Sequence, residues 1–89
     1  MLKSTITISN RLGLHARASA KLTKLAGGFR SDVHLSRNGR RVNAKSIMGV
    51  MMLAAGLGSQ VEIETNGERE QEAMDALRHL IDDKFGEGE

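Results

Sequence analysis

The hydrophobic periodicity of this chain changes repeatedly between two residues and about 3.6, and that order of periods limits the fold more than any other feature. From Leu2 to Ser9 the apolar residues Leu2, Ile6 and Ile8 alternate with Lys3, Thr5, Thr7 and Ser9, as in a half-buried strand, with Ser4 as the one lapse. Between Ala16 and Gly27, Ala18, Leu22, Leu25 and Ala26 recur at helical spacing opposite Arg17, Lys21 and Lys24, and Gly27-Gly28 ends the helix. Phe29, Val33 and Leu35 then alternate with Arg30, Asp32, His34 and Ser36. Arg37-Asn38-Gly39-Arg40 carries the Asn-Gly signal of a tight hairpin, from which Arg41 to Ala44 returns as a strand.

Ile47, Val50, Met51 and Ala54 fall on one side of a short helix with Ser46 at its N-cap, which places Met51 in the core. Val61 and Ile63 alternate with Glu62 and Glu64 as a fourth strand. In the last helix Glu68, Glu70 and Glu72 occupy the first turns, where the helix dipole favours acids, and Met74, Leu77, Leu80, Ile81 and Phe85 form the buried stripe. Gly86 terminates it and leaves a short acidic tail. The order βαββαβα predicts an α+β open-faced sandwich: a four-stranded, mainly antiparallel sheet with three helices on one face. Lys3, Thr5, Thr7, His34, Glu62 and Glu64 would project from the other, wet face.

Residues 1–89 are expected to form one domain, because so short a chain encloses a single core and buries only about 60–65% of its unfolded surface. Chemistry should therefore lie near the surface rather than in a deep cavity. The absence of cysteine excludes disulfides, thiolate nucleophiles and cysteine-ligated metals. The N-terminal MLKSTITISN lacks the apolar stretch of a secretory signal and no run approaches a membrane span, so a cytoplasmic protein without membrane contact is expected. The net charge is only +2, but residues 1–45 hold ten Lys/Arg and one acid, whereas residues 46–89 hold three basic residues and ten acids. Such a split suits either a basic face with an acidic or phosphorylated partner, or two solvated faces that balance.

The segment Asn10-Arg11-Leu12-Gly13-Leu14-His15-Ala16-Arg17 sets a histidine at the mouth of the first helix, where free N–H groups and the positive dipole end favour an anion. Arg17 can add a bidentate contact to phosphate oxygens. A neutral imidazole is a good nucleophile near pH 7 and forms an N–P bond labile enough to be passed on, so His15 could carry a phosphoryl group; equally, it could simply sit at a helix start. His34 and His79 have the pattern of surface histidines, and the three histidines show no metal-ligand spacing; neither metal nor cofactor is expected. A nucleic-acid-binding module, suggested by the basic N-terminal half, fails for want of a stacking platform: there is no Trp or Tyr, and Phe29 and Phe85 are assigned to the core.

Gly13-Leu14-His15-Ala16-Arg17 resembles the active-site motif of the HPr family, the histidine-containing phosphocarriers of the bacterial sugar phosphotransferase system. Asn43-Ala44-Lys45-Ser46-Ile47-Met48-Gly49-Val50-Met51 resembles the family's regulatory-serine segment. The likeness implies that His15 is phosphorylated on Nδ1 by the phosphoenolpyruvate-dependent Enzyme I, that Arg17 steadies the phosphate, and that an Enzyme IIA domain receives the group. It implies a monomeric carrier within a relay rather than a stand-alone enzyme, serving sugar uptake or, in a paralogue of the same fold, nitrogen-related or purely regulatory signalling. Ser46 would be open to a dedicated kinase and phosphorylase, or would act only as an N-cap. Lys21, Lys24, Lys45, Ile47 and Met48 would form a docking patch with an apolar centre and a basic rim. One departure stands out: the family commonly has proline where this chain has Ala18. Alanine fixes φ less firmly, so a looser helix start is expected.

Overall fold

A computed structural model describes residues 1–87. The elements are β1 (Leu2–Thr7), α1 (Ala16–Gly27), β2 (Asp32–Arg37), β3 (Arg40–Asn43), α2 (Ile47–Met52), β4 (Gln60–Asn66) and α3 (Glu70–Asp82), followed by a 3₁₀ turn over Lys84–Gly86. The sheet is antiparallel throughout in the order β1-β4-β2-β3, and the three helices cover one of its faces. Register explains the core. Ile6 lies opposite Val61 and Leu35 opposite Ile63, so the alternating apolar residues of three strands share the helix face. There they pack under Ala18 and Leu22 of α1, Val50 of α2 and Met74, Leu77 and Ile81 of α3. The lapse at Ser4 is covered by the same helix: Arg78 of α3 donates to Ser4 Oγ at 2.6 Å.

Several boundaries differ from the sequence pattern. β2 begins at Asp32 rather than Phe29, and Phe29 is only half-buried, with the Arg69 guanidinium 5.4 Å from its ring centre instead of core around it. β3 is shifted back by one residue, because Asn38 and Gly39, both at positive φ (51° and 81°), close a two-residue turn and leave Arg40 paired with Arg37. Met51 is not core but 39% exposed, and Ala54 is exposed with φ 51°. A six-residue helix offers only Val50 to the interior, and the chain beyond it inserts Leu53 and Ala55 instead.

Glu64 is buried rather than wet. It lies on the central strand β4 between Lys3 and His34, and Arg41 reaches over from β3 to donate at 2.7 Å. That hydrogen bond holds the Glu64 carboxyl below the ordinary carboxylate range despite desolvation, helped by the nearby positive charges of Arg41 and Lys3.

α3 starts at Glu70, so Glu68 precedes it, and the helix stops at Asp82, so Phe85 is not on it. Lys84 and Phe85 take left-handed φ of 53° and 55°, which turns the chain back and drives the fully buried Phe85 ring into the core. This reversal sends Glu87 back over the start of α1; the last two residues of the acidic tail, 88 and 89, lie outside the described residues.

Candidate functional site

The loop between β1 and α1 is pressed against the segment that follows α2. Leu14 N–H donates to Ala55 O at 2.9 Å, and Gly13, at φ 65°, has no room for a side chain: a Cβ there would sit 2.5 Å from Ala55 O and 2.7 Å from Gly56 Cα. His15 follows in extended conformation (φ −71°, ψ 177°) as the N-cap of α1, and its carbonyl accepts the first helical hydrogen bond, from Ser19 N–H at 2.8 Å. Its side chain makes no capping bond, so the N–H groups of Ala16, Arg17 and Ala18 are left for another acceptor. Ala18 is fully buried as the third residue of the helix, and it keeps a backbone N–H that proline would lack.

The imidazole opens onto a cleft of about 370 Å³ lined by Arg11, Leu12, His15, Arg17, Lys21, Gly86 and Glu87. Arg17 stands exposed along this cleft with no side-chain hydrogen bond or ion pair to another described residue. Lys21 is tied down: its Nζ donates to Phe85 O at 2.7 Å. The His15 side chain is 26% exposed, and its Nε2 lies 2.5 Å from Glu87 Oε2. The other carboxylate oxygen of Glu87 accepts from Asn10 Nδ2 at 2.9 Å, and the same amide donates to Gly13 O at 2.8 Å.

Hydrogen bonding from Asn10, and next from His15, lowers the Glu87 pKa although partial burial opposes it. A depressed carboxyl keeps its partners at neutral pH and gives them up only as the pH falls through that lowered value, so the contact with His15 is fully present above the ordinary carboxylate range.

The predicted pair His15 and Arg17 thus meets in one cleft, and Lys21 joins it. Lys24 lies outside that cleft, along an adjoining groove with Leu25, Phe29 and Leu80. Lys45 is turned inward, its Nζ donating to Phe29 O at 2.8 Å. Ile47 and Met48 are exposed, Met48 by 70%, as are Met51 and Met52 on the same helix. Ser46 caps α2 by accepting from Gly49 N–H at 3.2 Å.

Charge is partly paired across the chain halves, through Arg41 and Lys3 with Glu64 and through Arg30 with Glu68. Among the described residues that line the cleft, Glu87 carries the carboxylate. An anion could therefore settle beside His15 on Arg17 and the start of α1, next to a ring nitrogen able to attack it.

A family model described as the PTS HPr component phosphorylation site matches residues 2–83. The chain belongs to the HPr family. HPr of Cupriavidus necator is 71% identical to it over 89 residues, the whole of both chains, and HPr of Pseudomonas aeruginosa is 53% identical over 94% of each. The fold agrees equally well: the crystal structure of HPr-C-His from Thermoanaerobacter tengcongensis superposes with a TM-score of 0.95 at 44% identity, covering 98% of each chain. The protein is accordingly an HPr-type phosphocarrier of the phosphotransferase system. Two residues, one bonded to His15 and one supporting it from behind, were not evident in the sequence. Glu87 reads there as part of an acidic tail and lies 72 positions from His15, and Asn10 reads as a loop residue with no assigned role.

Proposed function

We propose that this chain accepts a phosphoryl group on Nδ1 of His15 from phosphoenolpyruvate by way of Enzyme I and donates it to an Enzyme IIA domain. The observation that carries the proposal is a partly exposed imidazole at the open N-terminus of α1, within a cation-lined cleft. Transfer of a phosphoryl group needs positioning and charge stabilisation more than bond-making by the protein. Arg17 and the free N–H groups of α1 supply that stabilisation, and the partner brings the phosphate and its metal. The carrier works as a monomer in the cytoplasm; among the described residues no helix is long and apolar enough to cross a membrane.

Docking falls to the exposed apolar side chains Ile47 and Met48, with Lys24 on the basic rim. Lys21 and Lys45, whose ammonium groups already serve backbone carbonyls, contribute chiefly by field. Phosphorylation of Ser46 by a kinase regulates that patch, because a charge of about −2 beside Ile47 and Met48 adds a desolvation cost and repels an acidic partner.

The test follows label from radioactive phosphoenolpyruvate through Enzyme I onto the chain, and off again when an Enzyme IIA domain is added. Label that stays on Enzyme I, or that the IIA domain cannot remove, contradicts this reading.

A further inference from the structure

We propose that Glu87 is a positioning residue for His15: it holds the proton on Nε2 and so presents Nδ1 as the nucleophile. This rests on the reading of His15 as the phosphoryl acceptor. An ionised carboxylate only accepts hydrogen bonds, so the 2.5 Å contact between Glu87 Oε2 and Nε2 requires Nε2 to donate. A neutral imidazole that carries its proton on Nε2 has its lone pair on Nδ1.

The carboxylate is not a loose end. Asn10, itself fully buried, fixes the second oxygen from one side. Two residues upstream, the buried Phe85 ring and the bond from Lys21 Nζ to Phe85 O clamp the chain that delivers Glu87. Hydrogen bonds to Asn10 and His15 keep the carboxyl ionised at neutral pH.

The arrangement lets phosphoryl transfer run both ways without moving a proton. On acceptance, the Nδ1 lone pair forms the N–P bond while the donor's bond to phosphorus breaks and its electron pair stays on the donor. The proton remains on Nε2, and the ring, now formally cationic, faces the Glu87 carboxylate. On donation the N–P electron pair returns to Nδ1 and the neutral ring is restored. Without the carboxylate, part of the population carries its proton on Nδ1 and cannot attack, and the cationic ring loses its counter-charge.

The test has a spectroscopic arm and a kinetic arm. Long-range proton–nitrogen spectra of the unphosphorylated protein, recorded at about pH 8.5 (two units above the ordinary histidine value of about 6.5), should show His15 as the Nε2–H tautomer with a slowly exchanging proton. Glu87→Ala should give a tautomer mixture and fast exchange. Glu87→Gln, which keeps an acceptor oxygen without the charge, should fall between. With saturating Enzyme I, the transfer step of Glu87→Ala should slow by about three- to tenfold, with little change in apparent affinity. Either an imidazole spectrum or a transfer step unchanged by Glu87→Ala overturns the proposal. The imidazole spectrum needs no phosphorylation, whereas phosphosite mapping of the wild type tests the function, so either can fail without the other.

Discussion

His15 and Ser46 stand at the same local position, the extended residue just before a helix, and use it in opposite ways. Ser46 spends its side chain on the backbone, accepting from Gly49 N–H, and α2 begins with one of its free donors satisfied. His15 leaves the first N–H groups of α1 unfilled and turns its ring toward Glu87 instead. One N-cap contributes to stability, and the other leaves helix donors open for a ligand. Placement at a helix start is thus not by itself a sign of function; what separates the two residues is whether the side chain caps.

The contrast yields predictions that differ in kind. His15→Ala should abolish phosphoryl acceptance altogether yet leave the fold intact, costing about 0.5–1 kcal/mol for the lost bond to Glu87 because no capping bond goes with it; a melting curve beside the labelling assay checks both. Arg17→Glu should slow transfer about ten- to a hundredfold in both directions, because it puts a like charge where the phosphate needs a donor. Stopped-flow transfer from Enzyme I and to a IIA domain would reveal a one-sided defect, which would mean that Arg17 serves docking instead.

Ser46→Ala should do the reverse of His15→Ala. It should cost about 1 kcal/mol, or about 4–8 °C in Tm for a domain of this size, and leave acceptance at His15 in place. Loss of acceptance at unchanged Tm would break the comparison. The smallest effect is expected for Ser46→Asp, whose carboxylate also suits an N-cap near the positive helix end: Tm should stay level or rise by a degree or two. Its affinity for Enzyme I should fall, though less than with a phosphate. Titration calorimetry with Enzyme I reads this directly, and unchanged affinity would remove Ser46 from the docking surface.

Much of this was legible in the sequence because it depends on short-range patterns. Strand alternation, the Asn38-Gly39 turn, the cap at Ser46 and the histidine at the mouth of α1 each lie within a few residues of their cause. What was not legible depends on chain reversals and on burial. The spacing of Leu77, Ile81 and Phe85 continues a helical stripe, yet the chain leaves the helix after Asp82 and buries Phe85 through a left-handed turn. Nothing in a pattern of apolar residues signals that turn, and without it Glu87 would not return to His15. Met51 failed for a related reason: periodicity assumes a helix long enough to present a stripe, and α2 has less than two turns. Glu64 reads as solvent-facing by alternation, but Arg41, two strands away, closes over it.

The central claim is that the phosphoryl group resides on His15, and one measurement tests it most directly. The wild type is incubated with Enzyme I, phosphoenolpyruvate and Mg²⁺, and the phosphorylated site and its chemistry are mapped. The account predicts a single phosphate on Nδ1 of His15, labile in acid and stable in alkali as an N–P bond is, and none on the His15→Ala chain. An acid-stable phosphate elsewhere, or full labelling of His15→Ala, would contradict it.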